Sequence, residues 1–338
     1  MGNVQREGRV SGLPRFLEGS LYYAMWAGMP VEVYDTKNRR NDYSDDINTR
    51  SNTLNYLAGG SPYVPETEGL GVPMELSMAV HSDAGARADD NSIVGTLAIY
   101  THLGDRSTYD LLSGIDRLAS SDLAQLVQID ICRDLSAFIG RPWSRREIFN
   151  RNYSECRKPE VPSMILETLS HQNFQDMLLG HDPNFKFTMA RAIYKALVRY
   201  VATQHERDYV IQPLPVSNFA AEALQGEVKL SWQPQHDELE PTAEPTSYIV
   251  YTSREGEDFD NGRLVEGGAT SVTLPVEPDV LYRFRVTACN DGGESFRRGV
   301  AGDGDHIQTH GADTGHSFQL VDCESSTFSC CNHRLYRT

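Results

Sequence analysis

Three residues of this chain stand where side-chain chemistry is commonly built. His81 closes an apolar run at residues 74–80 (MELSMAV), and Ser82, Asp83, Ala84 and Gly85 follow it. An imidazole just past the carboxyl end of a strand sits where α/β sheets gather their ligands, and it can bind a metal or move a proton. Glu167 likewise follows an apolar run, at 161–166 (VPSMIL), and leads into the polar stretch Thr168 to Asn173. A carboxylate so placed can serve as a general base. Glu18 opens the first helical segment, where a carboxylate also complements the helix dipole with no further role. Taken singly, His81 reads equally as a surface-loop histidine and Glu167 as an ordinary loop glutamate.

The elements that must position these residues follow from periodicity. Residues 16–27 read as a helix ended by Gly28 and Pro30, 31–34 as a short strand, and 47–58 as a second helix. A strand is expected at 93–100, amphipathic helix within 107–139, and a strand at 161–166 running into Glu167. Residues 184–205 form a long amphipathic helix with apolar positions at 187, 190, 193, 194, 197, 198 and 201. Strands alternating with helices predict an α/β domain over 1–208 whose mostly parallel sheet is flanked by helices. After His205 prolines crowd in, and short alternating runs at 227–233, 247–252, 271–274 and 281–288 predict an all-β sandwich over 209–300. Residues 301–338 carry neither period and are expected to be disordered.

Composition narrows the function classes. The 338 residues carry a net charge of −16, and their length suggests about two domains. Nucleic acid and anionic lipid need clustered Lys and Arg, so neither is expected as a partner. No apolar stretch is long enough for a membrane span. The cysteines, at 132, 156, 289, 323, 330 and 331, follow neither a disulfide framework nor a zinc-ribbon spacing. Residues 1–17 lack the apolar core of a secretory signal.

In combination the motifs resemble the zinc-dependent N-acetylmuramoyl-L-alanine amidases that cleave peptidoglycan. The matching pieces are Glu18; Arg50 and Asn55; LSMAVHSDAG at 76–85; VGTLAIY at 94–100; and VPSMILETLSHQNF at 161–174. Longer phrases, GLPRFLEGSLYYAMWAGMP and PEVPSMILETLSHQNF among them, are similar to large secreted gut-bacterial proteins often labelled xanthan lyase. Those proteins combine an amidase-like domain with a fibronectin type III module. Trp232, Tyr248, Tyr251 and Tyr282 fit such a module independently, Tyr282 as its corner tyrosine.

The resemblance implies Zn²⁺ held by His81 and Glu18, with Glu167 as general base. It places His171, Asp83 and Asn173 as possible cleft or substrate residues, and leaves Arg50 and Asn55 as supports of the second helix. His171 and His102 are further candidates for a replacement ligand. The family's first histidine has no counterpart before Glu18, so the chain is expected to be a fragment lacking the first strand of its sheet. The implied partner is peptidoglycan or another cell-surface glycan, and the implied setting is extracytoplasmic. Two other readings stand beside this one: a non-catalytic glycan-binding surface module, and a lyase of acidic polysaccharides, which the negative charge and the strand order disfavour.

Overall fold

The computed structural model describes residues 19–38, 40–84, 88, 92–104, 108–254, 257–278, 280–296 and 306–308. The chain divides into two compact units, Met1–His205 and Glu206–Thr338. Glu18 and most of the segment after 296 lie outside the described residues; 306–308, within the tail expected to be disordered, form a short strand.

The first unit opens with three helices: α1 (Ser20–Trp26), α2 (Val31–Tyr34) and α3 (Asp42–Ala58). The expected strand at 31–34 is therefore a single helical turn. A four-residue apolar run does not distinguish the two states by periodicity, and here packing decides: Val33 is fully buried and its carbonyl accepts from Asn52 Nδ2 on α3. Helix α3 begins earlier than its apolar pattern because Asn41 caps it, its side-chain oxygen accepting from the Ser44 amide at 3.1 Å.

Next come β1 (Ser77–Asp83), β2 (Leu97–Tyr100), α4 (Leu118–Ile139), β3 (Phe149–Asn150), α5 (Ser154–Arg157), β4 (Ser163–Ser170), α6 (Phe174–Gly180) and α7 (Pro183–Gln204). The sheet order is β1-β4-β2-β3. β1 pairs with β4 and β2 with β3 in parallel, whereas β2 runs antiparallel to β4. The sheet is thus mixed. The reason lies in the connection: among the described residues no helix intervenes between β1 and β2, and a parallel return needs a crossover of a dozen or more residues, usually helical. Helix α4 supplies such a crossover between β2 and β3.

One face of the sheet packs Met164, Leu166 and Ala98 against Leu123, Val127 and Ile131 of α4 and Phe185, Met189 and Ala192 of α7. Helix α7 starts at Asp182, which caps it, with Pro183 in the first turn. Its fully buried stripe runs through 185, 189, 192, 196 and 200 rather than being centred on the expected 187–201 set, and Phe187 is exposed. Salt bridges to α4 run along the same face. Lys195 Nζ is buried 2.6 Å from Asp134 Oδ2, and Arg199 pairs with Asp130, so charged residues share the covered face. The opposite face of the sheet carries a smaller cluster, Leu97, Ile99, Ile165 and Cys156, with Ala79 beside it. His81 and Glu167 lie on this second face, two residues on from Ala79 and Ile165 in their strands.

The second unit is two antiparallel sheets. β5 (Ser217–Leu224), β6 (Glu227–Gln233) and β9 (Ser271–Pro275) form one. β7 (Ser247–Arg254), β8 (Arg263–Val265), β10 (Leu281–Asn290), β11 (Gly293–Glu294) and β12 (His306–Gln308) form the other. Between them Val228, Leu230, Trp232, Tyr248, Val250, Tyr282 and Phe284 make the core. Tyr282 Oη accepts from the backbone N–H of Glu277 at 3.2 Å, the local bond of a corner tyrosine.

Candidate active site

His81 and Glu167 are not beyond their strands but inside them, and they are Cα partners across β1 and β4. The register slips just past them, between His81 and Asp83. Such a bulge re-aims neighbouring side chains, and it lets the Thr168 hydroxyl donate to the His81 carbonyl at 2.8 Å.

A row of alternating charges crosses this face. Asp46 of α3 accepts from the Ser20 hydroxyl, from the Leu21 amide and, at 2.9 Å, from Arg50. Burial works to raise the Asp46 carboxyl, but these donors outweigh it and hold the group below its ordinary range. Arg50 reaches on to Glu155 of α5 at 3.3 Å, and Glu155 sits 3.2 Å from His81 Nε2. The hydrogen bond to Glu155 raises the His81 imidazole above its ordinary value, against the effect of burial. Burial likewise works to raise Glu155, and its contacts with His81 and Arg50 hold it low instead.

Glu167 behaves oppositely. Burial pushes its carboxyl above the ordinary range, and Asp83 adds to this, while His81, Arg146 and His171 pull against it. One of its oxygens, Oε2, is buried and has no hydrogen-bond partner among the described residues. A carboxylate so exempted from pairing keeps its affinity for a proton. Asp83 is held by Arg146 at 2.5 Å, and His171 Nδ1 lies 3.0 Å from the Ser82 hydroxyl. The structure thus brings His81, Glu167, Asp83 and His171 to one place.

Two expected residues serve other ends. Asn173 is buried, its carbonyl oxygen accepting from the Ala88 amide and its nitrogen donating to Ser92 O and Asp176 Oδ1. It anchors the segment after β1, and its amide is spent there rather than offered to a cleft. His102 follows β2, which runs antiparallel to β4, and so lies towards the other end of the sheet, against Asp116 and Tyr109. Asn55 joins helix α3 to the chain before β4, through Lys158 O and the Glu160 amide, as a structural support. Asp176 collects the amides of Val94, Gly95 and Ser170. Gly95 is confined to glycine there: its φ is +80°, and a Cβ would meet Ser144 O at 2.1 Å.

Imidazole and carboxylate are suitable donors for zinc. Among the described residues, however, no group of three or more His, Cys, Asp or Glu side chains is arranged to hold a metal ion. His81 and Glu155 offer two donors and are engaged with each other. Glu18, the other expected ligand, lies outside the described residues.

No family model matches the chain, and no curated protein matches it. Parts of it are similar to solved structures. The fibronectin type III domain of human collagen alpha-1(XX) shares 22% identity, covering 32% of this chain and 94% of that one, with a TM-score of 0.25. The FN5 domain of Drosophila Lar shares 16%, covering 29% and 98%, with a TM-score of 0.23. The N-acetylmuramoyl-L-alanine amidase AmiC2 of Nostoc punctiforme shares 17%, covering 37% of this chain and 57% of that one, with a TM-score of 0.28. Among the described residues no helix is long and apolar enough to cross a membrane.

Proposed function

We propose that the α/β unit is a cell-wall hydrolase that cleaves the amide between N-acetylmuramic acid and L-alanine in peptidoglycan, with Glu167 as its general base. The observation that carries this reading is the pairing of His81 with Glu167 across adjacent strands, one oxygen of Glu167 being buried and unpartnered among the described residues. A carboxyl held above its ordinary range is the better base near neutral pH.

In the proposed reaction Glu167 takes a proton from water as the water oxygen bonds to the carbonyl carbon. The C–N bond then breaks, and the proton passes from Glu167 to the leaving amine of L-alanine. His81 is oriented by Glu155 through its ring and by Thr168 through its backbone. Arg146, paired with Asp83, pulls against the rise of the Glu167 carboxyl. Zinc enters the proposal through His81 and Glu18, and bound there it would polarise the amide carbonyl and acidify water. The second unit would act as a spacer or glycan-binding module, in an extracytoplasmic setting.

Incubating the protein with muropeptides and weighing the products by mass spectrometry tests this. Scission at the lactyl–alanine amide is the expected result. Binding without scission would favour the non-catalytic glycan module, and unsaturated sugar products would favour a lyase.

A further inference from the structure

The outer face of the second unit carries a charged cleft separate from the site described above. Strand β10 alternates, so Tyr282 and Phe284 enter the core while Arg283 and Arg285 point outward. Across the ladder Arg285 is the partner of Tyr251 and Arg283 of Ser253. The chain after β7 folds back over this face and sets the Phe259 ring under both guanidinium groups, 4.0 Å from that of Arg285 and 5.8 Å from that of Arg283. Gly262, with φ +80°, allows the return, since a Cβ would meet the Tyr251 ring at 2.8 Å. The result is a cleft of about 440 Å³ between the arginines, Tyr251, Phe259, Glu257 and Asp258.

The two arginines are used differently. Arg283 is spent internally, donating to Ser253 Oγ at 3.0 Å and to Glu257 O at 3.1 Å. Arg285 is half-buried and stacked on Phe259, and among the described residues it has no hydrogen-bond or ion-pair partner. Stacking covers one face of a guanidinium and leaves its edge N–H groups in the plane for a carboxylate.

A bare anion is a poor match, because Glu257, Asp258 and Asp260 border the same cleft. All three carboxylates would repel it, yet Glu257 and Asp258 can accept hydrogen bonds from hydroxyls, while Asp260 Oδ1 accepts from the Thr252 and Gly262 amides. A ligand carrying one carboxylate and several hydroxyls satisfies every group. We infer that this cleft binds a carboxylated saccharide, its carboxylate on Arg285, its hydroxyls on Glu257 and Asp258, and its ring beside Tyr251. The inference stands independently of hydrolysis at Glu167.

Titration calorimetry of the full chain tests it, with N-acetylmuramic acid and glucuronic acid as acidic sugars, N-acetylglucosamine as a neutral sugar, and lactate as a bare carboxylate. The acidic sugars should bind more tightly than the other two, and Arg285→Gln should weaken them by about tenfold or more. If Arg285→Gln fails to fold by circular dichroism, Asp258→Asn serves instead and should also weaken the acidic sugars. No measurable binding of acidic sugars, equal affinity for lactate, or affinity indifferent to the substituted residue would overturn the inference.

Discussion

His81 and Glu167 face each other in register across β1 and β4, and their carboxylate neighbours divide between them. Glu155 holds His81 at 3.2 Å, and Asp83 adds negative charge beside Glu167 while paired to Arg146. The same sheet edge therefore stabilises a cationic imidazole and disfavours an ionised carboxylate. Both groups are thereby raised, and each keeps its proton to a higher pH than it would free in water.

The Glu167 carboxyl should reveal itself in stability. Its folded value is raised above the unfolded one, so its favourable contribution is complete at low pH and is lost as pH rises through the raised value, above 4.5. At neutral pH the ionised group costs stability, and Glu167→Gln should raise Tm there while having little effect near pH 4. Thermal melts at both pH values check this. A lower Tm for the variant at neutral pH would contradict it.

The His81 imidazole should titrate above 6.5 because Glu155 accepts from it. Glu155→Gln removes the charge and should bring the titration down, which histidine NMR signals report directly. The stability given by this contact is complete below about 6.5, and is lost as pH rises through the raised folded value. An unmoved titration in the variant would show that Glu155 does not position the ring.

Asp176 is buried and gathers three backbone amides from two segments that meet at the site. Asp176→Ala leaves those donors without their acceptor, at about 1–3 kcal/mol each if none finds water. Denaturant titration should show a loss of several kcal/mol. A loss under about 0.5 kcal/mol, typical of an ordinary surface substitution, would rule out this anchoring role.

Glu18, the second ligand the resemblance implies, lies outside the described residues. If His81 and Glu18 are ligands, both His81→Ala and Glu18→Ala should lower the zinc retained after dialysis, measured by atomic absorption. Retention unaffected by either variant would remove the metal from the account.

Much of the candidate site was legible because it lies on strongly apolar strands. The runs before His81 and Glu167 mark β1 and β4 by composition alone, and parallel neighbours bring their ends together. Glu155 was not legible. It sits on the single turn α5, far from His81 in sequence, and only tertiary packing of α5 under the sheet joins them. The same is true of Arg146, which lies in irregular chain before β3. The resemblance implies Asn173 as a possible cleft residue, whereas its contacts with Ala88, Ser92 and Asp176 follow from tertiary packing that no local pattern marks. Strand direction in the sheet also escaped periodicity, since pattern marks a strand and not its orientation.

The most direct test of the central claim is the rate of amide cleavage in muropeptides by the native chain and by Glu167→Gln, which keeps the shape and removes the base. New L-alanine amino termini should appear with the native protein, and about 10²- to 10⁴-fold more slowly with the variant. Equal rates would show that Glu167 is not the base, and no cleavage by the native protein would contradict the hydrolase reading.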